Sequence, residues 1–286
     1  LEYCTEEVAA SDASRRLFRL RGYLLQIRED YTGAAKAYEQ VVATDPGDFE
    51  SWNNLGNARA GAGDVMGSVA ALEKAAALIN GARKPVIYFG GGVSASEAGD
   101  ELRALMEKAE IPAAYTMMAA GVLGYGEPLN LGLIGMHGCR TTNKAVDEAD
   151  LVLAIGTRFS DRVALNTSKF AQRAQILQID IDPSEVNKNV AVDMSLVGDV
   201  KEVLTALLPL VKSAKHSEWM EIIRAWQALD YRPKDDDTRL KPHQIIGKIC
   251  ELAGPDAVYV TDVGQHQMWA TQYIRHVRPR SFLTSG

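Results

Sequence analysis

Two short apolar runs, Leu151–Ile155 and Gln175–Ile179, end in residues that can hold a ligand. The first is followed by Gly156, Arg158 and Arg162, the second by Asp180 and Asp182. A glycine at a strand end lets backbone approach a ligand closely. A guanidinium grips phosphate or carboxylate, and a carboxylate accepts from ribose hydroxyls. A third run, Pro85–Phe89, passes into Gly90, Gly91 and Gly92 and then into helical sequence. Bare amides beside a helix start suit an anion, although the full G-x-G-x-x-G spacing is not there. Glycines needed only for a backbone turn would give the same letters. Plain sheet strands with polar turns would give the same two runs. A fourth stretch, Met117–His137, is rich in Gly and Met. A structureless loop of that length is usually functional. Its thioethers suit the face of a large aromatic cofactor, and they suit a plain core as well. His137 reads either as a ligand contact or as a packed structural imidazole.

Such residues need a frame that brings them to one side. The apolar runs are continuous rather than alternating, as in strands buried on both faces of a parallel sheet. Between and after them lie a helix at Ser96–Ala109, a strand at Ile111–Thr116 and a helix at Cys139–Glu148. A short strand in Asp193–Val200 and a helix to Leu210 follow. Strand and helix alternate through 81–212, which predicts an α/β fold with a doubly wound parallel sheet and ligands at its carboxyl ends. Residues 213–241 read as a helix, Ser217–Leu229, and a linker carrying Asp235, Asp236 and Asp237. Adjacent carboxylates on a loop seldom converge on a cation, so this run reads as solvated surface and no metal site is expected. In 242–286 come a helix (Pro242–Leu252), a strand (Ala257–Thr261) and a helix opening at Gly264, and the pattern stops at Gly286.

Composition narrows the function. A length of 286 residues suits about two domains. A net charge of −6 disfavours nucleic acid as a partner. No apolar run is long enough to span a bilayer. The opening Leu1–Thr5 has neither a basic nor an apolar signal region. It lacks an initial Met, which suggests a trimmed or partial chain. Cys4, Cys139 and Cys250 are odd in number and far apart, so free thiols in a reducing cytoplasm are expected.

Residues 1–80 follow another rule. Residues 12–80 read as four helices. Phe18 matches Trp52, Gly22 matches Gly56, Asp30 matches Asp64, Ala34 matches Ser68 and Tyr38 matches Leu72, each 34 residues apart. Small residues at 22, 34, 56 and 68 would let paired helices approach, with large ones at 18, 38, 52 and 72 between them. This period, with Trp52–Gly56, Tyr38 and Pro46, resembles tetratricopeptide repeats over two units, 15–48 and 49–80. The second unit departs from pattern at Arg59 and Asn80. The resemblance implies an all-α repeat segment preceding the α/β part, with a peptide as its possible partner.

Five stretches together carry a second resemblance: Lys84–Val93, Ile134–Gly138, Gly156–Arg162, Ile179–Pro183 and Val263–Trp269. In order and spacing they resemble the large subunit of acetolactate synthase over 66–286. The resemblance implies a Rossmann-like, FAD-binding central domain at 81–212 and the start of a thiamine-diphosphate-binding domain at 242–286. It implies FAD contacts from Gly90, Gly91, Gly92, Thr116, Met117, Ile134, Gly135, Met136 and His137. Gly156, Thr157, Arg158, Phe159, Asp180, Ile181, Asp199 and Val200 complete that set. Val263, Gly264, Gln265 and His266 would hold the diphosphate of thiamine diphosphate, and Arg162 would face the 2-oxo acid, pyruvate. Ser160 stands where the family commonly has an acid. The implied reaction is a transferase condensation of pyruvate to 2-acetolactate in branched-chain amino-acid biosynthesis, by a cytoplasmic homo-oligomer with structural FAD and magnesium. The family's activating glutamate and its metal-binding motif have no counterpart in these residues, so this polypeptide alone is expected to be inactive. Two other readings stay open: a non-catalytic FAD-binding protein with a repeat-type interaction arm, and another thiamine-dependent carboligase or oxidase.

Overall fold

The structure is a computed structural model, which describes residues 12–45, 48–61, 65–231, 233–235 and 238–285. Its helices, in chain order, are α1 (Asp12–Ile27), α2 (Tyr31–Thr44), α3 (Phe49–Gly61), α4 (Val65–Gly81), α5 (Gly91–Ala95) and α6 (Gly99–Ala109). After these come α7 (Arg140–Glu148), α8 (Val200–Leu207), α9 (Ser217–Gln227), α10 (Pro242–Ala253) and α11 (Gln265–Tyr273). The strands are β1 (Pro85–Phe89), β2 (Ala113–Tyr115), β3 (Asn130–Leu133), β4 (Leu151–Ile155), β5 (Gln175–Asp180), β6 (Met194–Val197), β7 (Tyr259–Val260) and β8 (Phe282–Leu283).

Strands β1 to β6 form one six-stranded sheet in the order β3-β2-β1-β4-β5-β6, with every pair parallel. At its centre Val86 pairs with Val152 and Ile87 with Leu153. Side chains alternate between the faces, as the two-residue strand period demands. Ile87, Phe89, Leu153, Ile155, Leu177 and Ile179 face one layer, which includes Ile79 of α4, Leu102 and Leu105 of α6, and Leu204 of α8. Val86, Tyr88, Val152, Ala154 and Ile176 face the other, with Val146 of α7 and Trp219 and Ile223 of α9. Helices thus cover both faces, and continuous rather than alternating apolar strands are the sequence consequence.

Several elements differ from the sequence reading. The stretch 117–137 is not structureless throughout: β3 lies inside it as an edge strand on β2. The helix expected at Ser96–Ala109 starts earlier and breaks, because Glu97 takes φ +53° and separates α5 from α6. The helix expected before the linker forms as α9 and packs on the sheet. Trp219 is buried and its indole N–H donates to the Pro85 carbonyl at 3.2 Å. Strand β7 is shorter than expected and is completed by β8, which the sequence did not suggest. Of the acidic run, Asp235 hydrogen-bonds His243, while Asp236 and Asp237 lie outside the described residues. Cys139 and Cys250 are free thiols, and Cys4 lies outside the described residues.

The amino-terminal helices pack in sequence, α1 on α2, α2 on α3 and α3 on α4. A Cβ on Gly22 would come within 2.6 Å of the Tyr38 ring, so a small residue is required there, as the repeat reading has it. Its counterpart Gly56 meets nothing within 4 Å. Trp52, expected to fill between helices, is 46% exposed. The carboxyl-terminal half of α4 gives its Ala75, Ala76 and Ile79 to the sheet core. Asp64, Pro46 and the Ser68 side chain lie outside the described set.

Candidate functional site at the carboxyl edge of the sheet

All six strands deliver their chain to one edge, and hydrogen bonds just beyond the strand ends tie neighbouring turns together. Ile134 N donates to Tyr115 O (3.0 Å), Thr116 N to Phe89 O (2.9 Å) and Gly90 N to Ile155 O (2.9 Å). Gly156 N donates to Ile179 O (2.8 Å) and Gly198 N to Asp180 O (2.9 Å). The turns Ile134–His137, Thr116–Met117, Gly90–Gly92, Gly156–Phe159, Asp180–Ile181 and Asp199–Val200 therefore stand in a row. Sequence alone suggested each of these turns separately; the strand order brings them side by side.

At the centre of the row, between β1 and β4, the winding direction reverses. In open α/β sheets that is where a crevice forms. Here two glycine turns meet backbone to backbone. Gly92 N donates to Gly156 O at 3.0 Å. A Cβ on Gly90 would lie 2.5 Å from Gly156 O, and one on Gly92 would lie 2.6 Å from Gly156 Cα. Gly156 itself takes φ +57°. These glycines are thus fixed by mutual packing, and that packing presents bare main chain at the edge.

The other turns are held by polar clasps. Asn143 on α7 grips Gly135 twice: Gly135 N donates to Asn143 Oδ1 (2.8 Å), and Asn143 Nδ2 donates to Gly135 O (2.9 Å). Gly135 has φ +98°, and Met136 N reaches Arg162 O at 2.8 Å, which joins this turn to the one after β4. The side chains of Arg158 and Arg162 are exposed. Asn189 Nδ2 donates to Arg158 O at 2.8 Å. Asp180 is buried and accepts from Asp182 N at 3.0 Å, and burial raises its pKa above the usual carboxylate value. Asp199 caps α8 through the amides of Lys201 and Glu202, and the Ser96 hydroxyl leads the contacts that lower its pKa. Phe159 and Val200 are core residues. Phe159 sits among Tyr88 and Phe170, and Val200 among the α8 contacts. Ile181 and Met136 are exposed. Two buried polar atoms, Ser94 Oγ and Gln178 Oε1, have no hydrogen-bond partner among the described residues. Sequence reading missed Asn143, Ser94 and Gln178, since no motif marks them; the buried amide of Gln178 within an apolar strand was the one visible signal.

Residues 242–285 rest on the same edge. Ala270 and Ile274 pack with Ala120, Tyr115 and Met117. Gln272 Nε2 donates to His137 O at 2.7 Å, and Arg280 reaches Ser94 O at 3.2 Å. Gly121 must lack a side chain, since its Cβ would meet Arg278 O at 2.1 Å. Gly264, with φ +148°, opens α11; Gln265 and His266 are exposed beside it, and Val263 is exposed in the approach. Behind the edge an open groove of ≈ 740 Å³ runs between α7 and 163–171 and includes Ile134–Met136. Among the described residues no group of His, Cys, Asp and Glu could hold a metal ion, and no helix is long and apolar enough to cross a membrane.

His276 belongs to the same docking surface. It is 5% exposed, stacks edgewise on Phe282, and burial lowers its pKa from 6.5 to about 4. Between those values the unfolded chain binds the proton and the folded one does not. Stability contributed by neutral His276 is therefore present above the unfolded pKa and lost as pH falls through the window. About 2 kcal/mol should disappear between neutral pH and about pH 5. Denaturant melts at several pH values should show it, and His276→Phe should flatten that slope.

Residues 72–207 match the family model described as the thiamine pyrophosphate enzyme central domain. The relatives are more particular. An acetolactate synthase of Mycobacterium bovis is 44% identical over 224 residues, covering 75% of this chain and 36% of that protein. Acetolactate synthase isozyme 1 large subunit of Escherichia coli is 40% identical over 218 residues, 75% of this chain and 38% of that protein. A probable acetolactate synthase large subunit of Methanocaldococcus jannaschii is 41% identical over 232 residues, 78% of this chain and 39% of that protein. The chain thus spans little more than a third of the length of the curated relatives it matches.

Proposed function

We propose that these residues form the flavin-carrying central part, and the beginning of the diphosphate-binding part, of an acetolactate synthase type of enzyme. Its reaction would be the thiamine-diphosphate-dependent condensation of two 2-oxo acids, pyruvate giving 2-acetolactate. The observation that carries the reading is the row of six turns along one sheet edge, within a segment 40–44% identical to acetolactate synthases. In this reading 81–212 holds FAD and 242–286 opens the diphosphate site. Residues 1–80 form a tetratricopeptide-type arm with a peptide partner, and the cytoplasmic assembly is a homo-oligomer.

The residues fit a dinucleotide. Glycine main chain at Gly90–Gly92 and Gly156 admits a pyrophosphate closely, and Arg158 supplies its counter-charge. Asp180 offers an acceptor for ribose hydroxyls, and the unpartnered Ser94 hydroxyl and Gln178 carbonyl offer further polar contacts. Met117 and Met136 would lie against the flavin ring. FAD acts structurally in this reading. Thiamine diphosphate, bound with magnesium, would supply the nucleophilic carbon for decarboxylation and carbon–carbon bond formation. Gln265 and His266 would donate to its diphosphate at the opening of α11. Arg162 would orient the 2-oxo acid by its carboxylate.

The test is a titration of the purified polypeptide with FAD, followed by flavin fluorescence. One FAD per chain is expected. Arg158→Ala should weaken it about ten- to a hundredfold, the loss of a charge-assisted hydrogen bond. Unchanged affinity in that variant would leave Arg158 a surface charge, and absence of binding by the parent chain would remove the flavin reading.

A further inference from the structure

The turn that follows β3 is tied at each of its residues. Gly135 N donates to Asn143 Oδ1 at 2.8 Å, and Gly135 O accepts from Asn143 Nδ2 and from Gly138 N, both at 2.9 Å. Met136 N donates to Arg162 O at 2.8 Å, and His137 O accepts from Gln272 Nε2 at 2.7 Å. Packing leaves no slack. A Cβ on Gly135 would stand 2.6 Å from Arg162 O, and one on Gly138 would stand 2.3 Å from Leu133 O. The Arg162 carbonyl is held for this contact by its own turn, in which Val163 N and Ala164 N donate to Ser160 O at 2.9 and 2.8 Å. Of these ties, the pair from Asn143 engages both main-chain polar groups of a residue at φ +98°. Asn143 itself is an exposed residue of the nine-residue helix α7, where leucine would be the better helix former. Its amide serves the turn and not the helix.

We propose that Asn143 is a positioning residue, which holds the Gly135–Gly138 turn so that Met136 and His137 meet the flavin with the Arg162 main chain set beside them. The inference rests on the flavin reading above and names what aligns one turn of that cradle. Two bonds on one glycine stop the peptide planes on either side of it from rotating. Met136 is the next residue, so its amide is thereby aimed at Arg162 O. Without the clasp, Gly135 regains the wide backbone freedom of a residue with no side chain. Flavin must then order the turn as it binds, and that entropic cost appears as weaker affinity. The clasp needs one acceptor and one donor at once, which an amide supplies. A carboxylate supplies the acceptor alone and sets its second oxygen against Gly135 O, whereas a protonated carboxyl supplies both. The charged and titratable groups around the clasp are of mixed sign: Arg140, Lys144 and Asp147 on α7, His137 on the turn, Arg162 and Lys169 after β4, and Asp230 after α9.

Amide exchange and FAD titration on the full 286-residue chain test it. Without FAD, Asn143→Leu should speed exchange of the Met136 amide, although the partner of that amide is Arg162 O and not Asn143. With FAD, Asn143→Leu should lower affinity about tenfold across the pH range, the worth of a net hydrogen bond. Asn143→Asp should match the leucine variant near about pH 8 and approach the parent as pH falls to about 4.5, where its carboxyl takes up a proton. Taking the ratio of variant to parent at each pH removes what the neighbouring groups contribute to both. Thr142→Val is the structural control, since the buried Thr142 hydroxyl on the same helix donates to Leu131 O at 2.7 Å. It should lower stability in denaturant melts and leave the FAD affinity of folded molecules unchanged. Parent-like affinity in Asn143→Leu, an unaltered Met136 amide, or a ratio for Asn143→Asp that ignores pH would each overturn the inference while the flavin reading stands. An equal loss of affinity in Thr142→Val would also overturn it, making the clasp general support for α7. A parent chain that binds no FAD would instead remove the flavin reading, and the inference with it.

Discussion

Gly92→Val should cost the protein about 3 kcal/mol of stability and most of its affinity for FAD. Glycine is required there by backbone, not by a flexible neighbour. A Cβ at position 92 would stand 2.6 Å from Gly156 Cα and 3.1 Å from Gly156 O, and the amide of Gly92 is already bonded to that same oxygen. Neither atom can rotate away. Relief requires the turns after β1 and β4 to part, which breaks the middle of the row and strains Gly156 at its positive φ. The melting temperature should fall by roughly 6–10 °C. Gly56→Ala is the control, since a Cβ there meets nothing within 4 Å and lies inside α3. It should be neutral or stabilising by up to about 1 kcal/mol. A Gly92→Val protein with parent-like melting and parent-like flavin affinity would contradict the contact between the turns.

Trp219→Ala should cost more, about 4 kcal/mol, yet leave flavin affinity unchanged in the molecules that remain folded. The indole is 2% exposed, meets Trp226 edge to face at 5.6 Å, and donates to Pro85 O. Truncation leaves a large cavity and an unpaired carbonyl. Pro85 begins β1, so the damage lies at the opposite end of the strand from Gly90. The two substitutions therefore separate stability from the site: one disturbs both, the other only stability. Denaturant melts and a low-temperature flavin titration measure the two quantities. A loss under about 1 kcal/mol would mean that α9 is only loosely attached to the sheet.

What could be read from sequence follows from what each pattern encodes locally. Strands β1, β4 and β5 announced themselves because burial on both faces leaves a continuous apolar run. Their turns announced themselves because glycines, arginines and acids follow directly. Strand β3 stayed hidden, since an edge strand of Asn130, Leu131, Gly132 and Leu133 with Gly132 at φ +96° has weak strand character. Helix α9 was visible as a helix, but its role was not: an amphipathic face does not say which surface it covers. The clasp of Asn143 on Gly135 joins two elements through one amide, and no short-range pattern encodes that. The 34-residue period identified where Gly22 needs to be small. It misplaced Trp52, which is 46% exposed.

Hydrogen–deuterium exchange of the purified chain with and without FAD tests the central claim, that the six turns form one flavin cradle. Slower exchange is expected on adding FAD at Gly90–Gly92, Thr116–Met117, Ile134–His137, Gly156–Phe159, Asp180–Ile181 and Asp199–Val200 together. The groove segment 163–171 and helices α1 to α3 should be unchanged. Protection confined to 163–171, or absent from the central turns at Gly90–Gly92 and Gly156–Phe159 while FAD is bound, would contradict it.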